Sequence, residues 1–514
     1  MDTPNKRDKV AQLVKYIEEN LRASQSAGLK FVDPRHFGQR LMAKQNHVVF
    51  GRRGAGKSTL VSSCQKEPAT IAIYLNLETY KDITFPNIIV QVLQASFKNL
   101  RRILKKRYPW YLAFTGRFAT YNLCKSLERT ERELARALQE PDHEEQKVLT
   151  KTTQEQSGTV SITSDHIGAV QGQTKKASET EVARTLPKNK LNWLRLELTN
   201  FTDLFSKASK VCNKEPIFLV LDDFYFVSKT IQPDLLDYFH RITKDTDVFL
   251  KVATIKHRSR LYRRSSGTPT GVEVGHDIYE IDMDYTLDDF DNLKSFMKQL
   301  LESANSASKA ELDIEALFEG EGFTQLCLAS GGVPRDFLSL FVDLSNKIIV
   351  AKGEKIGKLD VTEEAISRFD SKLDNFKTDS GNEGNILEIY PNNIKKKIYL
   401  EKRTNAFLVS KQEMETHHQA RQAIQELIDL RLIHQVEKNT SSAPSDGLMY
   451  EAYILDVSLY DNARPRNFEQ IDPGMKDAKS RKDKLRAAPK LSLSKLEEEV
   501  VKSGIQGKLT LSRE

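Results

Sequence analysis

Cysteine is scarce in this sequence. Four residues among 514, Cys64, Cys124, Cys212 and Cys327, lie far apart and form no C-x-x-C pair. That spacing excludes a disulfide framework and a cysteine zinc site, and predicts reduced, mostly buried thiols. Long apolar runs are missing too. No segment approaches the roughly 18 uninterrupted apolar residues of a spanning helix, and the opening MDTPNKRDKV lacks a signal peptide's apolar stretch. A soluble, cytoplasmic protein with no membrane partner is expected. Neither charge sign dominates: 78 Lys and Arg against 71 Asp and Glu leave a formal net charge of +7, too little to argue alone for a polyanion partner. His417-His418 has no further ligand at metal spacing and reads as a helix start. No internal repeat is visible.

What the chain does have is length, enough for about three domains at roughly 150 residues each. Val10, Leu13, Val14, Ile17 and Leu21 recur at helical spacing, predicting an N-terminal helix within 1–30. His47–Phe50 reads as a short buried strand, followed by a glycine loop, a helix from Lys57 to about Cys64, and a second strand, Thr70–Leu77. That order opens an α/β fold with a mainly parallel sheet. The α/β core is expected over 31–285, interrupted by an insert at about 100–190. Within the insert, residues 150–187 are rich in Ser, Thr, Gln and Gly and hold no period, which predicts a mobile loop. Tyr108, Trp110, Tyr111 and Phe114 read as a local core with the helix at 124–140 in preference to an exposed docking patch. A helical lid is expected over 286–385 and a small domain over 395–462. A basic flexible tail, 463–514, carries Lys476, Lys479, Arg481, Lys482, Lys484, Arg486 and Lys490.

The strongest chemical signal is Gly51-Arg52-Arg53-Gly54-Ala55-Gly56-Lys57-Ser58-Thr59, a G-x-x-x-x-G-K-S phosphate loop between a strand and a helix. Its glycines let backbone N–H groups turn toward phosphate oxygens, and the helix N-terminus adds partial positive charge. Lys57 is expected to reach the β- and γ-phosphates of ATP, and the Ser58 hydroxyl to bind Mg²⁺. The apolar run Ile217–Leu221 ends at Asp222-Asp223, as buried parallel strands do when their C-terminal ends carry function. Asp222 is expected to hold the metal through water and Asp223 to polarise the attacking water. Two more residues extend the site. Thr254, ending the next strand, is placed to orient water at the γ-phosphate. Arg335, after Gly331-Gly332-Val333-Pro334, opens a helix and points into a neighbouring cleft.

These motifs, in this order and ahead of a winged-helix-like segment, resemble the AAA+ ATPases of the origin-recognition-complex type over roughly residues 30–460. The resemblance implies ATP binding and hydrolysis by the P-loop and acidic pair, with Thr254 as sensor 1 and Arg335 as sensor 2. It also implies a homo-oligomer with an arginine finger drawn from His257-Arg258-Ser259-Arg260-Leu261-Tyr262-Arg263-Arg264, without choosing among those arginines. The Asp-Asp pair, where many ATPases carry Asp-Glu, is also similar to STAND-type signalling ATPases and predicts slow turnover.

In the small domain, Ser410 and Glu413 are expected to form a capping box. A second helix, about His418 to Leu430, turns Ala420, Ile424, Leu427 and Ile428 inward. Strands Leu432–Glu437 and Met449–Leu455 flank a polar loop, Lys438–Gly447. This winged-helix order presents Gln419, Arg421, Gln422 and Gln425 to a groove of double-stranded DNA and Lys438 to phosphate. The leading reading is an ATPase switch that couples nucleotide state to DNA association. The alternative is a signalling or defence ATPase whose C-terminal domain and insert bind a protein partner.

Overall fold

The computed structural model describes residues 6–21, 32–108, 118–139, 190–264, 269–370, 372, 389–474 and 482–499. The expected loop at 150–187, Trp110, Tyr111, Phe114, Lys476, Lys479 and Arg481 lie outside the described residues. Five parallel strands form the central sheet: β1 His47–Phe50, β2 Ile71–Asn76, β3 Ile217–Asp222, β4 Val248–Thr254 and β7 Tyr279–Asp282. They lie in the order β2-β3-β4-β1-β7. A two-stranded hairpin, β5 Tyr262–Arg263 and β6 Thr270–Gly271, stands apart. Register aligns the strand ends that matter, with Phe50 opposite Thr254 and Asn76 opposite Asp222. Four chemistry-bearing segments therefore leave the same edge of the sheet.

The sheet is covered on both faces, which is why its central strands read as unbroken apolar runs. On one face Val49, Phe218, Val220, Ala253 and Ile281 pack against Leu60 and Val61 of α2, Lys57–Ser63. The other face packs against three longer helices, α3 Asn87–Arg107, α4 Phe118–Gln139 and α5 Lys190–Val211. The insert thus contributes core: Leu123, Cys124, Leu127 and Leu134 of α4 are buried there. Arg101 of α3 forks onto Glu131 of α4 at 2.7 and 2.8 Å. The Tyr108 hydroxyl donates to Glu215 at 3.2 Å. All four cysteines are buried and free. Helix α6, Gln232–Thr243, follows β3.

A second core joins segments far apart in sequence. Val10, Leu13, Val14 and Ile17 of α1, Lys6–Asn20, pack with α7 Phe290–Ser308, α8 Gly322–Ala329, α9 Pro334–Leu344 and α10 Lys358–Ser367. The same buried cluster runs without a break into the C-terminal unit. That unit is β8 Ala406–Ser410, α11 Lys411–Thr416, α12 His418–Asp429, β9 Ile433–Ser441 and β10 Met449–Leu455, with antiparallel strand order β8-β10-β9. Among the described residues no helix is long and apolar enough to cross a membrane.

Four expectations for this unit are corrected. A strand, β8, precedes the first helix. Lys438 belongs to β9, not to a loop, because pairing with β10 continues to Ser441. The Ser410–Glu413 capping box does not form: Ser410 makes no side-chain cap bond, and Glu413 instead accepts Ser492 Oγ at 2.8 Å and the Leu493 N–H at 3.2 Å. Finally, the basic tail is not flexible throughout. Residues 482–499 lie on the unit, with Leu485, Leu491, Leu493 and Leu496 buried among the charges. Leu408 and this segment exchange backbone hydrogen bonds at 2.8 Å, from Leu408 N–H to Pro489 and from Leu491 N–H to Leu408. Glu497 accepts the Ala420 N–H at 2.8 Å at the start of α12. Three of its lysines are ion-paired, Lys482 with Glu437 at 2.5 Å, Lys484 with Glu469 at 3.1 Å and Lys490 with Asp446 at 2.6 Å. Leu493→Ala is expected to destabilise the protein by about 2–5 kcal/mol, the range for truncating a buried leucine. Urea unfolding checks this; an unchanged midpoint would return the segment to a loose tail.

Candidate nucleotide site

The P-loop bends through Gly54 and Gly56, whose φ angles of 90° and 94° suit glycine alone among common residues. Gly54 is also crowded. A Cβ there would meet Val333 Cγ1 at 2.9 Å and Arg335 Cβ at 3.0 Å. This contact brings the start of α9 onto the loop, where the Arg335 N–H donates to the Gly54 carbonyl at 3.3 Å. Lys57 is buried, and its Nζ donates to the carbonyls of Gly51 at 2.7 Å and Arg52 at 3.1 Å. Burial lowers its pKa; Asp284, Asp223 and Asp222 oppose that shift.

A cleft of about 260 Å³ opens over the loop. It is lined by residues 53–59 with Glu78, Asp223, Tyr225 and Arg335, and by the apolar side chains of Leu21, Val32, Phe296, Leu300 and Leu338. The lining thus offers cations and N–H groups together with apolar side chains. Arg335 lies on the cleft wall, its charge disfavoured by surrounding protein and by the nearby Arg53 guanidinium.

The acidic pair is held by groups that the motif reading missed. Asp222 is fully buried; its Oδ1 accepts the Asp223 N–H at 2.8 Å and its Oδ2 the Tyr74 hydroxyl at 2.5 Å. Asp223 has a left-handed backbone, φ 53°, which turns it into the cleft, where Asn76 Nδ2 donates to it at 3.2 Å. Burial, then repulsion from Asp222, pushes the Asp223 carboxyl up to about 6. Tyr74 and Asn76 are two residues apart on β2, so both point to the face shared with the acidic pair. Polar residues at alternate positions near the end of an apolar strand were the available signal. Ser58 and Asp223 line the cleft and offer oxygen donors that fit a hard cation such as Mg²⁺ beside phosphate oxygens, whereas Asp222 is fully buried behind them and does not line it. Among the described residues no group of three or more His, Cys, Asp or Glu side chains forms a self-sufficient metal cage.

Other expected residues stand elsewhere. The Arg52 side chain turns away from the cleft: it pairs with Asp284 at 3.4 Å and donates to the carbonyls of Tyr285 at 3.0 Å and Gly331 at 2.9 Å. It clamps the loop to the turn before α9. Thr254 is buried with its hydroxyl bonded to Ser259, and it does not line the cleft. Of the basic run, Arg263 pairs with Asp234 at 3.0 Å, Arg258 is half-buried against the C-terminal unit, and Arg260 and Arg264 are exposed. Gln419, Arg421 and Gln422 are exposed and Gln425 is half-buried; the last three border a cavity of about 530 Å³ between α12 and the core, facing Lys229, His257 and Arg258. Lys438 borders a smaller cavity beside Gly51 and Lys256.

A strand–glycine loop–helix cradle on a parallel sheet, with an acidic pair ending a neighbouring strand, defines a P-loop protein. The chain belongs to the ORC-CDC6-like family, whose model matches residues 18–321, a family of AAA+ ATPases. A search of curated proteins returned no match. Similar solved structures include Drosophila ORC bound to DNA, at 12% identity and TM-score 0.34, covering 89% of this chain and 92% of that one. The Aeropyrum pernix ORC1 protein in complex with DNA aligns at 12% identity and TM-score 0.30, over 88% and 90%. A Walker-type ATPase of Pyrococcus abyssi aligns at 11% identity and TM-score 0.34, over 89% and 95%.

Proposed function

We propose that the protein is an ATP- and Mg²⁺-binding switch of slow turnover, which couples its nucleotide state to association with double-stranded DNA through a C-terminal winged helix. One observation carries the coupling. Arg335, on the cleft wall, is followed by Asp336, whose carboxylate is ion-paired to Arg431 just beyond α12. Consecutive residues in the first turn of α9 therefore touch the nucleotide cleft and the C-terminal unit. A second contact runs beside it. Gly331 leaves room for His434, whose Nε2 meets Asp456 at 2.8 Å, and a Cβ on Gly331 would fall 2.1 Å from that ring.

On this reading Lys57 and the loop N–H groups bind the phosphates, and Ser58 would hold the metal directly, with Asp222 acting through water. When bound, Mg²⁺ neutralises charge on the phosphate oxygens. Asp223, oriented by Asn76, takes the proton of the attacking water, and Arg335 senses the γ-phosphate. Movement of α9 then shifts Arg431 and α12, reorienting Arg421, Gln422 and Gln425 on a duplex, with Lys438 on phosphate. If subunits associate, the exposed Arg260 and Arg264 are the candidates to reach a neighbour's site.

The test is anisotropy of a labelled duplex at two salt concentrations, with and without a non-hydrolysable ATP analogue. Binding is expected to strengthen with the analogue and weaken with salt, and Arg421→Ala with Gln425→Ala to reduce it about tenfold. The inward placement of α12 favours a second reading, a signalling ATPase with a protein partner at the C-terminal unit or insert. Absence of duplex binding at low salt, with the analogue bound, would select it.

A further inference from the structure

Arg53 and Arg335 border two spaces. One is the nucleotide cleft; the other is a separate cavity of about 200 Å³ where the P-loop, the first turn of α9 and the end of α12 meet. Cations crowd this second cavity. Arg53, Arg258, Arg335, Lys372 and Arg431 line it, against the carboxyl groups of Asp336 and Asp429. Asp336 is already engaged by Arg431, and Lys372 is held by Asp456 at 2.7 Å. Arg335 has its charge disfavoured by burial and by the guanidiniums of Arg53 and Arg431. Like charges brought this close favour an anion between them.

Two buried atoms of the lining lack hydrogen-bond partners: Nε of Arg431 and Oδ2 of Asp429. A buried guanidinium N–H without an acceptor is unusual in a native fold and marks a place for one. The Asp429 carboxyl is pushed up to about 7 by burial, so near neutral pH a large share of it is protonated. In that form it donates to an oxyanion instead of repelling it. The space of about 200 Å³ has room for a tetrahedral anion.

We infer that this cavity is a second oxyanion site, which binds one phosphate ion separately from the nucleotide cleft and ties the P-loop, α9 and α12 together. The phosphate comes from solution or from the γ-phosphate cleaved next door. Only the second source rests on the hydrolysis reading above.

The test is calorimetric titration of inorganic phosphate into the full chain saturated with a non-hydrolysable ATP analogue, which fills the P-loop. One phosphate is expected to bind, at least tenfold more weakly in Arg431→Gln. Arg258→Gln, which leaves the Asp336 pair intact, is expected to weaken phosphate similarly and covers the case in which Arg431→Gln misfolds. Loss of phosphate binding on adding the analogue, or full binding by both variants, overturns the site. Should the analogue itself not bind, the nucleotide reading fails, and the same titration into Lys57→Ala protein still decides the inference. Single-turnover phosphate release separates the sources. Altered release in Arg258→Gln at an unchanged cleavage rate identifies the product, and unaltered release with lost equilibrium binding identifies phosphate from solution.

Discussion

Lys57→Ala is expected to weaken ATP binding by at least about a hundredfold. The ammonium sits at the mouth of the loop, already aimed at its interior by the carbonyls of Gly51 and Arg52. A hydrogen bond to a charged partner contributes about 1.5–3 kcal/mol, and two such bonds to phosphate oxygens amount to a factor of a hundred or more. The substitution also frees two loop carbonyls, so thermal unfolding belongs beside the binding titration. A Kd within twofold of the native value would remove the P-loop assignment and the switch built on it.

Asp223→Asn is expected to leave ATP binding intact and to lower turnover by about a hundredfold or more, within the range for removing a general base. The native pH profile supplies an independent check. Burial and Asp222 push the Asp223 carboxyl up from its ordinary 3.8 to about 6, and on the general-base proposal the reaction needs it ionised. Turnover should therefore fall about tenfold per pH unit below 6 and level off above. Stability runs the other way. A carboxyl whose folded pKa is raised contributes fully below about 4, and that contribution is lost as pH rises through about 6. The Asn variant escapes this loss. It should be about 1–3 kcal/mol more stable than the native chain at pH 8, with the difference vanishing near pH 4. A flat activity profile between pH 5 and 8 would assign the proton transfer elsewhere.

Glycine spacing and apolar strand ends made the phosphate loop and Asp222-Asp223 legible in the sequence, because those features are local. Their supports were not. Tyr74 and Asn76 reach the acidic pair only through the register of β2 on β3. Arg52 looked like one more phosphate contact, yet its partners lie more than two hundred residues away, at Asp284, Tyr285 and Gly331. Helix α12 had a readable apolar stripe, but the direction of its polar face depends on what the C-terminal unit packs against. The segment 482–499 was hidden for a similar reason. Its leucines are scattered among lysines and complete a core that belongs to other elements.

That shared core bears on how the chain can be cut. Buried residues of α1, the helices over 290–367 and the C-terminal unit form one continuous cluster, reaching as far as Leu496. A fragment ending before β8 would leave the inner surfaces of α8 and α10 facing water and invite self-association. Removing the first twenty residues would open the same interior from the opposite end of the sequence. Melting should therefore show the helical and C-terminal parts coming apart in a single cooperative step. Substitutions at the exposed positions of α12, Gln419, Arg421 and Gln422, are expected to preserve that step, so its binding role is open to dissection one side chain at a time.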